Sequence, residues 1–228
     1  MNSPKINVTL LVDRSGSMAG NTLKDHVGGM RSFIKDQQKQ VGETLFNFIQ
    51  FDDKNPFEII LDGVNIDTVD LDKINLHPRG GTPLLDAVGK TINHIEEQER
   101  VDKSDQVIFM IITDGEENMS REWKRKDIKH LINEKKDDWS ILFLGADLDK
   151  FDDAREMGFD SNQVVGVNAA NIKHLYGNLS SGKLHATRGS IAKGDGKAAA
   201  LAAMSYNASD RTFGDNSEAS FNINKTVE

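Results

Sequence analysis

Runs of apolar residues recur along the chain at two different spacings, and their alternation predicts the fold. Residues 6–12, INVTLLV, form a short β-branched-rich run without helical spacing, the pattern of a strand buried on both faces. Leu23, Val27, Met30 and Ile34 then fall at i, i+4, i+7 and i+11, one stripe of a helix that Asn21 or Thr22 can cap and that Gly42 closes. Residues 44–51 and 56–64 read as two strands joined by the short polar turn DDKN, hence an antiparallel hairpin at a sheet edge.

After a looser stretch over 65–76, HPRGGTPLLDAVG opens a second helix. Pro83 is placed as its first residue, Thr82 as its cap, and Leu85, Val88, Ile92 and Ile95 as its buried stripe. QVIFMII, residues 106–112, is the most apolar run and predicts a central strand. It ends in TDGEEN and precedes a helix over 121–136 with Trp123, Ile128, Leu131 and Ile132 inward. A strand over 139–147, a short helix over 151–157 and a strand over 163–167 follow. A final helix from residue 169 carries Ile172, Leu175, Tyr176 and Leu179 on one face. Strands alternating with amphipathic helices predict an α/β fold: an open, doubly wound, mostly parallel sheet with helices on both faces.

Beyond about residue 190 the chain turns to Gly, Ala, Ser, Asn and Asp, apart from the run AAALAAM. The expected division is therefore a domain over 1–190 and an extension over 191–228, partly disordered or loosely docked, with one short helix. A total of 228 residues suits one such domain, because a single core grows to about 200–250 residues. Cysteine is absent, which removes disulfides, thiolate metal sites and cysteine nucleophiles from consideration. No stretch approaches the roughly 20 apolar residues of a membrane span, and the start of the chain lacks a signal-peptide pattern, so a soluble cytoplasmic protein is expected. The net charge of −8 repels phosphate backbones, so no nucleic acid is expected. The densest basic stretch, Lys124 to Lys126 with Lys129, is interleaved with Glu122 and Asp127 and reads as a solvated helix face.

Chemistry gathers at the loops. In a doubly wound sheet the carboxyl ends of the parallel strands share one edge, where ligands collect at the point of strand-order reversal. Asp13, Ser15 and Ser17 follow the first strand, Asp114 follows the strand over 106–112, and Thr82 lies in a loop that can reach the same edge. Two carboxylates and three hydroxyls, without His or Cys, suit Mg²⁺ or Mn²⁺ and less readily Ca²⁺. The alternatives are ordinary ones: turn or cap roles for the aspartates, and a helix cap for Thr82. Arg14, His77, Arg79 and Glu116 are candidates for the rim, although Glu116 and Glu117 also suit a helix N-terminus.

Taken in order, DRSGSM, GGTPL and ITDGEEN resemble the metal-ion-dependent adhesion site of a von Willebrand factor type A domain, and the resemblance covers residues 5–190. It implies a six-stranded sheet of order 3-2-1-4-5-6 with strand 3 antiparallel, in agreement with the hairpin read at 44–64. It also implies that Ser15, Ser17 and Thr82 contact the metal through hydroxyl oxygens and that Asp13 and Asp114 hold it directly or through water. With SGS intact, no first-loop ligand is missing. The chain is most similar to stand-alone intracellular type A domains of bacteria and phages. The implied function is binding of a protein partner whose Asp or Glu fills an open metal position, with no catalysis. The alternative is a metal-dependent hydrolase of phosphate or ester substrates, with Arg14 and Arg79 as the available cations; neither a P-loop nor a G-x-S-x-G motif occurs.

Overall fold

A computed structural model describes residues 3–145, 150–168 and 171–206 and contains a six-stranded sheet of order β3-β2-β1-β4-β5-β6. The strands are β1 (Lys5–Asp13), β2 (Glu43–Phe51), β3 (Glu58–Asn65), β4 (Gln106–Thr113), β5 (Trp139–Gly145) and β6 (Val164–Gly166). Every neighbouring pair is parallel except β2–β3, the expected edge hairpin. Strand β1 is central: Leu10 pairs in register with Phe48 on one side and Met110 on the other. Its neighbours lie on opposite sides, so the connections diverge there and leave a crevice at the carboxyl ends of β1 and β4.

Helices cover both faces. α1 (Asn21–Gln37) buries Met30, Phe33 and Ile34 on one face against Ile6, Val8 and Leu10. α2 (Leu84–Val101) and α3 (Arg125–Lys135) bury Val88, Ile92, Ile128 and Ile132 on the other against Leu11, Phe109 and Ile111. This is period-2 alternation of β1 feeding two separate cores. The α2 face also holds a polar cluster. Asn47 donates to Asn7 and Thr9 and accepts from the Gly63 amide and from Gln98, with all these oxygens and nitrogens within 3.0 Å.

Several boundaries move, each for a local reason. The capping position of α1 falls on Gly20, at φ 137°, rather than on Asn21 or Thr22. Helix α2 starts at Leu84 with Pro83 at the cap, so neither Pro83 as first helical residue nor Thr82 as cap holds. Helix α3 starts at Arg125 rather than 121, because the amides of Arg121, Glu122 and Trp123 all donate to the buried Asp86 carboxylate. That fastening lays the Trp123 indole over Gly89, where a Cβ would stand 2.5 Å from the ring.

The short helix α4 (Lys150–Glu156) matches its expected position, and the end of the strand expected over 139–147 falls partly outside the described residues. The final helix is longer than expected. α5 (Ile172–Gly177) continues through wider π-type turns at Asn178–Leu184 into α6 (His185–Lys193), and α7 (Lys197–Met204) folds back on it. The residue 169 start expected for this helix lies outside the described residues. Met204 and Tyr206, both 1% exposed, sit in the same core cluster as Ile172 and Leu175. The extension expected over 191–228 is therefore packed at least through Tyr206, and 207–228 lie outside the described residues.

Candidate functional site

Loop 1 leaves β1 at Asp13 and turns at once through Gly16–Met18. Asp13 is fully buried; its Oδ1 accepts the Ser15 amide at 2.6 Å and its Oδ2 accepts the Thr113 hydroxyl at 2.7 Å. The Ser15 and Ser17 hydroxyls lie 2.8 Å apart, so both face the same space. Burial pushes the Asp13 pKa up to about 6, against the pull of the Thr113 and Ser15 hydrogen bonds, and the nearby Asp114 charge adds to the rise. A carboxylate so placed is held in its charged form only with compensation, from hydrogen bonds or from a neighbouring cation.

Loop 2 brings Thr82 to the same point. Gly16 N donates to Gly80 O at 3.0 Å, and Arg79 N donates to Arg14 O at 2.8 Å, so the first two loops are joined through main chain. Loop 3 follows β4. Its Asn118 accepts the Thr82 amide at 2.9 Å and donates its own amide to Thr82 O at 3.1 Å.

Gly115 measures how closely the oxygens converge. A Cβ built there would meet Thr82 Oγ1 at 2.5 Å, Asp13 Oδ2 at 3.1 Å and Ser17 Oγ at 3.3 Å. Three oxygens from two distant segments thus ring one point on loop 3, directly beside Asp114, and only a residue without a side chain fits there. Among the described residues there is no cluster of three or more carboxylate or imidazole groups that could hold a metal. A cation here would rest on hydroxyls plus two carboxylates, a hard-oxygen set of the kind Mg²⁺ accepts alongside waters.

Thr82 is not used as a cap. The α2 amides of Leu85 and Asp86 donate instead to Glu117 Oε2 at 2.9 Å and Ser120 Oγ at 3.1 Å. Glu117 also accepts the amides of Met119 and Ser120, so it does complement a helix N-terminus, that of α2 rather than of the helix after it. Glu116 is exposed beside it.

The other rim candidates divide. Arg79 is half exposed, and His77 is exposed on the approach to loop 2. Arg14, expected at the rim, is buried instead: it donates to Asp52 at 2.6 Å and Gln50 at 3.1 Å and pairs with Glu58. Asp52 is the residue the sequence reading passed over. It sits at the carboxyl end of β2, on the same sheet edge as Asp13 and Asp114, and that position was its signal. Burial works to raise the Asp52 pKa, but hydrogen bonds from Arg79, the Asn55 amide, Arg14 and the Lys54 amide outweigh it and hold the carboxyl below its ordinary value. Thr113 and Gly115 were also missed as partners of the site, although both flank Asp114.

The chain is similar in fold to the von Willebrand factor domain of the type V pili tip protein Mfa5 from Porphyromonas gingivalis, with a TM-score of 0.58 at 13% identity over 85% of this chain and 97% of that one. It is likewise similar to the PilB minor pilin from Streptococcus sanguinis, with a TM-score of 0.57 at 12% identity over 78% of this chain and 61% of that one. For proximal thread matrix protein 1 from the mussel byssus the TM-score is 0.55 at 14% identity, over 78% of this chain. The chain spans less than half of that mussel protein, 46% of its length. No curated protein matches the sequence. Among the described residues no helix is long and apolar enough to cross a membrane. The sequence profile of the von Willebrand factor type A domain matches residues 7–179, and the chain belongs to that family.

Proposed function

We propose that the chain is a divalent-cation-dependent protein-binding module in which Asp13, Ser15, Ser17, Thr82 and Asp114 hold Mg²⁺ or Mn²⁺, and less readily Ca²⁺. The observation that carries this reading is the ring of Thr82, Asp13 and Ser17 oxygens around Gly115. Type A domains typically mediate protein–protein interaction, which sets the class of ligand. The chemistry supplied by a bound cation is an electrophilic point that attracts a carboxylate. Two aspartates roughly balance a divalent ion, so an Asp or Glu of a partner is the group best suited to fill a remaining position. This chain's residues do the rest. The buried Asp13 is oriented by Thr113 and Ser15, and the Ser15 and Ser17 hydroxyls lie side by side next to it.

The hydrolase reading is weaker on the same geometry. Phosphoryl or acyl chemistry needs cationic groups aimed at developing charge. Arg14 is withdrawn beneath Asp52, Gln50 and Glu58, and Arg79 is tied to Asp52 through Nε. In the basic stretch at the start of α3 Arg125 is paired with Asp153 and Glu156, and the net charge of −8 disfavours nucleic acid overall.

The test is capture from the native host on immobilised protein, in Mg²⁺ or in chelator, with Asp114→Ala as control. A partner lost in both chelator and variant is the expected result. Identical captured proteins in all three conditions would sink the reading.

A further inference from the structure

We infer that Asp52 is the positioning residue of the cation site, acting through Arg14 and Arg79 to hold loop 1 and loop 2 in one geometry. The inference rests on the cation reading above and adds a residue that lies outside the three motifs of the site.

The geometry is a two-sided clamp. Asp52 is fully buried at the end of β2. Its Oδ1 accepts the amides of Lys54 and Asn55 at 2.8 and 2.9 Å, which fixes the carboxylate to the turn between β2 and β3. Its Oδ2 accepts Arg14 Nε at 2.6 Å and Arg79 Nε at 2.7 Å. Arg14 sits between Asp13 and Ser15, and Arg79 lies three residues before Thr82. One carboxylate oxygen therefore ties together the two loops that supply the hydroxyls. Both acidic lone-pair sets are used, and each contact is a charge-assisted bond or a bond to a turn amide.

The surrounding main chain repeats the same link. Arg14 N donates to Phe51 O at 3.0 Å, and Asp53 N donates to Gly81 O at 3.1 Å, so the end of β2 touches both loops directly. Gly80 bends between them at φ 68°, where a Cβ would stand 1.7 Å from Asp53 Oδ1. Movement of loop 2 away from loop 1 breaks the Arg79–Asp52 bond together with the two main-chain bonds that join the loops. Arg79 is half exposed and its loss leaves the buried Asp52 still paired with Arg14, whereas loss of Asp52 takes from the buried Arg14 one of its two carboxylate partners and leaves it Glu58 alone.

That asymmetry selects the experiment. Mn²⁺ is titrated calorimetrically into wild type, Arg79→Met, Arg79→Lys, Asp52→Asn and the Asp52→Asn/Arg79→Met double variant, and the metal-free melting of each is recorded. Arg79→Met is expected to stay folded without metal, melting less far below wild type than Asp52→Asn, yet to bind Mn²⁺ about tenfold more weakly, the scale of an outer-sphere loss. Arg79→Lys recovers part of the affinity. The double variant binds no more weakly than Asp52→Asn alone, because both changes cut one link. Saturable uptake by wild type with an unchanged dissociation constant in Arg79→Met overturns the positioning role and leaves the cation site standing. Absence of uptake by wild type overturns both.

Discussion

Replacing Gly115 by alanine adds one methyl group at the point where the oxygens meet, and the consequence can be worked from distances. The new Cβ would stand 2.5 Å from Thr82 Oγ1, about 0.9 Å inside an ordinary carbon–oxygen contact. It would also crowd Asp13 Oδ2 at 3.1 Å and Ser17 Oγ at 3.3 Å. Gly115 does not use a left-handed backbone, so the change is one of space alone. Overpacking of this kind costs about 1–3 kcal/mol in the metal-free protein. The larger effect falls on the cation, because Mg²⁺ demands oxygens at about 2.0–2.1 Å and a hydroxyl pushed aside by much of an ångström no longer reaches it. Changes to outer-sphere partners already cost about 10- to 100-fold in affinity, so tenfold is a lower bound here. The assay is thermal unfolding with and without Mg²⁺. At a concentration 100 times the wild-type dissociation constant the ion adds about 2.7 kcal/mol, and a tenfold weaker variant gains only about 1.4 kcal/mol. For a domain of this size that halves a rise in Tm of roughly 5–10 °C. An equal Mg²⁺-induced rise in Gly115→Ala and wild type would refute the convergence argument.

Three further outcomes follow from the packing. His26 is buried against Tyr176, with Nδ1 3.4 Å from the hydroxyl, and burial lowers its pKa to about 4 despite the opposing charge of Asp25. The unfolded chain takes up that proton first, so stability is complete above pH 6.5 and is lost as pH falls towards 4, by about 3 kcal/mol in total; urea unfolding of His26→Gln should lack this loss, and an identical pH profile would contradict it. Asn47→Ala leaves Asn7, Thr9 and the Gly63 amide short of a partner inside the sheet, so unfolding should cost about 2–3 kcal/mol less than in wild type, and a change below 0.5 kcal/mol, about the scatter of a surface substitution, would contradict the network. Tyr206→Ala removes a fully buried ring that the Lys183 ammonium overlies at 4.5 Å, with an expected loss of about 3–4 kcal/mol; a neutral result would show that Tyr206 adds nothing to the domain.

The elements were legible because burial leaves a periodic trace. Ile6, Val8 and Leu10 face one core while Leu11 faces the other, and Met30 and Ile34 repeat at helical spacing. The convergence of the loops was legible in part, since Asp13, Ser15 and Ser17 follow β1 and Asp114 follows β4, while Thr82 lies in the loop before α2 that main-chain bonds bring to the same edge. Pairings between loops leave no such trace. Nothing local to Thr82 reveals that Glu117 and Ser120 take over the amides of α2, and nothing local to Arg121 reveals that Asp86 holds it out of a helix. Arg14 looked like a rim cation because its burial depends on Asp52 and Glu58, which lie 38 and 44 positions away. The packing of Tyr206 was hidden for a similar reason: a Gly- and Ala-rich stretch resembles a loose extension unless the cleft that receives its few large side chains is known.

The most direct test of the central claim is water-proton relaxation by Mn²⁺ added to the protein, followed by titration with a short glutamate-bearing peptide. Bound Mn²⁺ with an exchangeable water should enhance relaxation in wild type and not in Asp114→Ala, and the peptide should lower that enhancement by displacing the water. No enhancement in wild type, or an enhancement that the peptide leaves unchanged, would contradict a cation site open to a partner's carboxylate.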